Sequence, residues 1–248
     1  MSSELVIIYG LHPVLEALRA GTVSRVRIAE RSDDRARAVL DLAMAEGVRV
    51  EHVPADVLDR LAPGARHQGV VADIDGPREV GLRDLAAGPA PLIVVLDGIE
   101  DPQNMGAILR TADAAGVNGV VVQTRRAAAR GGAAAKASAG ALSHVRIAEV
   151  VNVARAIEEL KELGVWSVGL AGEAHQSYDQ VDLTGPTALV MGAEGAGLRR
   201  LVRETCDFLV SIPMRGHVGS LNVSVAAGVA LFEAVRQRRA KSARPAGV

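Results

Sequence analysis

"LIVVLDGIEDPQNMGAILRTADAAGVNGVVVQ", Leu92–Gln123, decides the fold. "LIVVLD" is too short for a helix and too uniformly apolar for a half-exposed strand. It reads as a strand buried on both faces. "PQNMGAILRTADAAG" sets Met105, Ile108, Leu109 and Ala112 on one helical face, with Gly116 as its stop. "GVVVQ" is a second buried strand. Strand, helix and strand in this order predict a βαβ unit, and so a parallel sheet.

Working toward the C-terminus, the alternation continues. "HVRIAEV", "WSVGLAG", "TALVMG" and "DFLVSI" read as strands. "NVARAIEELKELG" and "LRRLVRET" read as helices, and a long last helix lies in "SIPMRGHVGSLNVSVAAGVALFEAVRQR", Ser211–Arg238. There Ser220 stands as a cap, and Leu221, Val225, Val229 and Phe232 recur near the helical period.

Toward the N-terminus, "LVIIYG", "SRVRIAE", "VRVEHV" and "GVVADI" read as strands. Between them lie the helices "HPVLEALRAG", "SDDRARAVLDLAMAEG" (capped by Ser32) and "PADVLDRLA". "DGPREVGLRDLAAGPAP" breaks the pattern with prolines and glycines and reads as a linker containing one short helical turn. The expected division is a small α/β domain over residues 1–76, a linker over 77–91 and a second α/β domain over 92–248.

Composition fits. Of 248 residues 49% are hydrophobic but only 2% aromatic, so the core must be built from Val, Leu, Ile and Ala. The formal net charge is −1, which gives no global field toward nucleic acid. Two stretches are locally basic: Thr124–Lys136, with Arg125, Arg126, Arg130 and Lys136, and the tail with Arg236, Arg238, Arg239, Lys241 and Arg244. On spacing alone they read as solvated surface and a frayed tail. The single cysteine, Cys206, excludes an internal disulfide and reads as packing. The six histidines have no metal-ligand spacing, and no signal peptide or membrane span is legible. A cytoplasmic protein without a metal is expected.

Three polar segments sit where a strand hands over to a loop or helix, the end at which open α/β sheets bind ligands. In the first, Asn104 lies near a helix start and Arg110 points away from the apolar stripe. In the second, "VMGAEGAGLRR", Gly192, Gly195 and Gly197 exceed what a turn needs, and Glu194 is an acid among them. This is neither a P-loop nor a dinucleotide fingerprint, so a ligand without phosphates fits better and a nicotinamide oxidoreductase is disfavoured. In the third, Gly216 and Gly219 loosen the chain before Ser220 and Asn222. Taken singly, each polar group also reads as a cap or a solvated side chain.

"DPQNMGAILRTADAAG", "MGAEGAGLRRLV" and "SIPMRGHVGSLNVSVAAGVALFEAVRQR", in this order, resemble the three motifs of the SpoU/TrmH family of S-adenosylmethionine-dependent RNA ribose 2′-O-methyltransferases. "IYGLHPVLEAL" and "RHQGVVA" resemble the N-terminal substrate-binding domain of the branch that methylates a guanosine in large-subunit ribosomal RNA. The resemblance implies a SPOUT-type C-terminal sheet with a deep trefoil knot, a homodimer with its site at the subunit interface, and a bound S-adenosylmethionine. It carries the catalytic roles onto Asn104, Arg110, Glu194, Ser220 and Asn222, and cofactor contacts onto Gly192, Ile212 and Leu221. Arg110 is implied to engage the ribose hydroxyl. Since arginine hardly ever deprotonates, it orients that group and stabilises developing negative charge. The resemblance also turns the basic stretches into phosphate contacts, although "TRRAAARGGAAAKASAGA" is richer in alanine and glycine than the family pattern. Transfer RNA as substrate, and a relative that binds RNA without catalysis, stand as alternatives.

Overall fold

The computed structural model describes residues 5–30, 34–75, 80–124 and 144–243. The basic stretch from Arg125 to Lys136, Arg244, and the caps and linker residues at 31–33 and 76–79 lie outside them.

The first sheet holds β1 (Leu5–Tyr9), β2 (Val23–Ala29), β3 (Arg49–Val53) and β4 (Val70–Asp75) in the order β1-β4-β2-β3. Only β2 and β3 run parallel; β4 is antiparallel to both its neighbours. The alternation of strand and helix suggests mostly parallel pairing, but in this sheet the last strand inserts between the first two in reverse. Period-two patterning sends Val70, Ala72 and Ile74 toward α1 (Leu11–Arg19) and α2 (Asp34–Ala45). Val71 and Ala29 face α3 (Ala55–Leu61). On that second face the buried Asp73 accepts two hydrogen bonds from Arg27, at 2.8 and 2.9 Å. The two stretches that carried the N-terminal resemblance meet in space: the Leu11 N–H, at the start of α1, donates to Gln68 Oε1 at 3.2 Å.

From Val80 onward the linker is docked rather than free. α4 (Leu82–Leu85) buries Leu82 and Leu85 against the second sheet. That sheet is wholly parallel. It comprises β5 (Leu92–Asp97), β6 (Gly119–Gln123), β7 (Ile147–Val150), β8 (Trp166–Leu170), β9 (Gln176–Ser177), β10 (Thr187–Gly192) and β11 (Phe208–Ser211), in the order β7-β6-β5-β10-β8-β11-β9. Every residue of β5 and β10 is buried, as a largely apolar strand at the centre of a two-sided sheet must be. One face packs on α5 (Pro102–Ala115) and α8 (Val223–Ser242), the other on α4, α6 (Val153–Glu162) and α7 (Arg200–Thr205). α5 ends as expected, on Gly116 in the left-handed region at φ 68°.

Two readings of the C-terminal helix are corrected. Its buried face carries Val223, Ala227, Ala230, Leu231 and Ala234, whereas Val225 and Phe232 are about half exposed, at 52% and 51%. The sequence contains two apolar stripes, and the one built of small residues packs against α5. Nor is the basic tail frayed before Ser242. Arg238 donates to the carbonyls of Leu183, Ala90, Pro91 and Gly185, Arg236 pairs with Glu233, and Lys241 donates to Thr184 Oγ1. These cations are engaged within the chain, which weakens their reading as phosphate contacts.

Candidate active site

The sheet changes direction between β5 and β10. From β5 the chain proceeds outward to β6 and β7, and from β10 it proceeds the other way to β11. Such a switch point leaves a crevice at the carboxyl ends of the two strands. Gly192 and Asp97, their last residues, lie side by side in the ladder.

Past Gly192 the chain doubles back. Ala193 and Gly197 exchange backbone hydrogen bonds at 3.1 and 2.8 Å. A Cβ on Gly192 would lie 2.1 Å from the Gly197 carbonyl carbon, so only glycine permits the fold-back. The tip of this loop carries Glu194 and Gly195. The loops after β8 and β11 complete a cavity of ≈ 520 Å³ with it. Leu170, Met191, Gly192, Val210, Ile212 and Leu221 are among its lining residues, with Glu194 and Ser220. Gly192, Ile212 and Leu221 therefore line one cavity.

The three motifs are joined by a directed chain of hydrogen bonds. The Ser224 N–H and Oγ–H donate to Asn222 Oδ1 at 2.9 and 2.6 Å. Asn222 Nδ2 donates to Asn104 Oδ1 at 2.9 Å, and Asn104 Nδ2 donates to Glu194 Oε2 at 3.2 Å. Glu194 only accepts when ionised, so it fixes the orientation of both amides. Asn222 is also the cap of α8, a place the sequence had given to Ser220. Ser220 is exposed and lines the cavity instead. Asn104 does not cap α5; Asp101 does, accepting from the Gln103 N–H at 3.0 Å.

Arg110 stands apart. It is exposed on α5, lines no part of the cavity, and has no hydrogen-bond or ion-pair partner among the described residues. Asp97 is the group that sequence reasoning missed. It is a fully buried carboxylate at the end of β5, gripped by Arg199. Cys206 is a packing residue: burial pushes its thiol up to about 12, and its Sγ–H donates to the Val202 carbonyl.

The cavity's charge is selective. The charged side chains lining it are Glu173 and Glu194, and no arginine or lysine does so. Glu173 is paired with Arg203, which leaves Glu194 as the lining acid without a cationic partner among the described residues, and a ligand bearing a sulfonium or an ammonium group suits it better than a phosphate does. The volume lies in the usual range for a small-molecule site. Among the described residues no helix is long and apolar enough to cross a membrane.

Residues 91–232 match the SpoU rRNA Methylase family, and residues 7–80 match the RNA 2′-O ribose methyltransferase substrate binding family. The chain is 48% identical to the 23S rRNA (guanosine-2′-O-)-methyltransferase RlmB of Vibrio cholerae, covering 97% of this chain and 99% of that one. It is 41% identical to the putative TrmH family tRNA/rRNA methyltransferase YacO of Bacillus subtilis, covering 96% and 98%. Among solved structures it resembles the SpoU methyltransferase AviRb of Streptomyces viridochromogenes in complex with AdoMet. That match has a TM-score of 0.79 at 28% identity, over 94% of this chain and 90% of that one.

Proposed function

The chain belongs to the SpoU rRNA Methylase family, and from that premise we propose that it methylates the ribose 2′-hydroxyl of a guanosine in 23S ribosomal RNA, using S-adenosylmethionine. The observation that carries the reading is the hydrogen-bonded line Asn222–Asn104–Glu194 beside a cavity whose charged side chains are acidic. It is a site built for a cationic, phosphate-free cofactor.

S-adenosylmethionine supplies an activated methyl group on a sulfonium, so the protein's task is placement. Gly192, Ile212 and Leu221 hold the cofactor, with backbone groups of the loops as its polar contacts. Glu194 anchors the two amides, and Asn104 and Asn222 set the rim of the site. Ser220 shapes the pocket and offers it a hydroxyl. Arg110 binds the ribose hydroxyl side and stabilises the oxygen as it becomes more negative during attack.

That role for Arg110 requires a second protomer. Arg110 lies outside the cavity of its own chain, while α8 exposes Val225 and Phe232 and the loop before it exposes Val218. These features support a homodimer in which helices meet and Arg110 reaches a shared site. We assign residues 1–76 to substrate RNA binding, in line with the match of residues 7–80 to a substrate-binding family. The enzyme acts in the cytoplasm, where its ribosomal substrate is.

The test is transfer of labelled methyl from S-adenosylmethionine to 23S ribosomal RNA and to transfer RNA, both lacking the modification, with the product mapped. Label on a 23S guanosine ribose is expected. Label on transfer RNA alone would move the substrate assignment, and transfer to neither would defeat the enzyme reading.

A further inference from the structure

A carboxylate taken fully out of water must be compensated, and Asp97 is compensated by one residue in two ways. Its Oδ2 accepts the Arg199 backbone N–H at 2.8 Å, and its Oδ1 accepts Arg199 Nε at 2.5 Å. Nη2 of the same guanidinium also contacts Oδ1. Such charge-assisted pairs fix geometry more tightly than neutral ones.

The place of this grip gives it meaning. Arg199 caps α7 and follows the folded-back loop Ala193–Gly197 by two residues. Asp97 stands at the root of the other loop, which leads through Gly98 into α5 and Asn104. One buried carboxylate thus ties the root of the glycine-rich loop to the segment that leads into α5, and the two meet again in the hydrogen bond between Asn104, in the first turn of α5, and Glu194. Neither Asp97 nor Arg199 lines the cavity.

We propose that Asp97 and Arg199 are positioning residues of the site: they hold the glycine-rich loop in the register at which Glu194 reaches Asn104 and the cavity keeps the shape its cofactor needs. The inference rests on reading that cavity as the S-adenosylmethionine site. It differs from that reading in acting at a distance, through the loop.

Arg199→Ala, Arg199→Lys and Asp97→Asn are to be compared with the unmodified full chain, with Arg200→Ala as the neighbouring control. Among the described residues Arg200 pairs along α7, with Glu204. The measurements are S-adenosylhomocysteine affinity by calorimetry, KM and kcat for methyl transfer, and the melting temperature. Arg199→Ala leaves the buried Asp97 carboxylate with a backbone N–H alone, a destabilising loss, so Arg199→Lys, which keeps the cation, is the variant on which affinity is read if Arg199→Ala or Asp97→Asn does not fold. Arg199→Ala is expected to weaken binding about tenfold, the effect of losing a charged hydrogen bond. KM for the cofactor should rise and kcat fall, Arg199→Lys should recover part of both, and Arg200→Ala should change neither. A lower melting temperature with unchanged affinity and KM would reduce the pair to a structural role and overturn the proposal. An equal loss in Arg200→Ala would overturn it as well. Failure of the unmodified chain to bind S-adenosylhomocysteine would instead defeat the functional reading itself.

Discussion

The two ends of the seven-stranded sheet use the same kinds of polar group to opposite effect. At the amino ends of β8 and β11, Asp207 accepts from the Ser167 N–H at 2.8 Å and from Ser167 Oγ at 2.6 Å, and pairs with Lys161 at 3.0 Å. Beside the linker end, Arg238 gives its donors to four backbone carbonyls. These networks close on themselves. At the carboxyl ends, Ser220 lines the cavity without a hydrogen-bond partner among the described residues, and Glu194 lines it at the end of the hydrogen-bonded line from Asn222 and Asn104; Arg110, on α5 outside the cavity, is likewise unpartnered. Satisfied polar groups rigidify a fold; unspent ones near a cavity are available to a ligand. If this contrast is right, substitutions at the carboxyl end change binding or turnover, whatever they do to stability, and those at the amino end change stability alone.

The largest effect should come from Arg110→Ala. Removing a group that stabilises developing negative charge typically costs about a hundred- to a thousandfold in turnover. Calorimetry should meanwhile find cofactor affinity within about twofold of the parent, since that ratio is only a few tenths of a kcal/mol. Loss of cofactor binding would mean that Arg110 supports the cavity, and the contrast between the ends would blur. Gly192→Ala comes next and should act on binding. Its Cβ would meet the Gly197 backbone at 2.1 Å, so the loop must open. About 3 kcal/mol of stability should be lost to the clash, together with cofactor affinity. A variant that binds cofactor normally would show that the loop can shift without consequence.

These expectations differ in how far the sequence alone could support them. The parallel sheet was legible because "LIVVLD" and "TALVMG" are apolar apart from Asp97 and Thr187 at one end of each, and burial on both faces leaves that mark. The mixed first sheet was less legible, since insertion of β4 between β1 and β2 leaves no local trace. Asn104 and Asn222 were visible as polar residues near helix starts, but their contact spans 118 positions and no period encodes it. Resemblance to a family brought them together before the geometry did. Asp97 had no signal of its own, being one aspartate at the end of a strand. Arg238 was misread because a basic run near a terminus is usually solvated, and its four carbonyl acceptors come from distant segments.

Arg238→Ala tests the amino end directly. Desolvation by burial lowers the pKa of this guanidinium, so the carbonyls around it must compensate the charge. Truncation takes this donor from the carbonyls of Leu183 and Ala90, whereas those of Pro91 and Gly185 keep the N–H and Oγ–H of Thr187, and it should cost about 2 kcal/mol, measured by urea denaturation. KM for the cofactor should not move. A matching rise in KM would mean that the two ends of the sheet are coupled.

The smallest effect should be at Asp207, and it depends on pH. Burial alone would push its carboxyl up, but the hydrogen bonds from Ser167 and the Lys161 ammonium outweigh it and hold the group below the usual carboxylate range. A carboxyl whose pKa is lower folded than unfolded contributes stability that is complete above its unfolded value and is lost as pH falls through the folded one. Asp207→Asn should therefore lower stability at neutral pH by less than Arg238→Ala does. The gap between variant and parent should shrink as pH falls below about 4, the ordinary aspartate range. A gap that stays constant with pH would assign the role of Asp207 to its shape and hydrogen bonds rather than to its charge. The closed network at the amino end would then rest on neutral contacts, and the contrast with the charged line Asn222–Asn104–Glu194 would be sharper than drawn above.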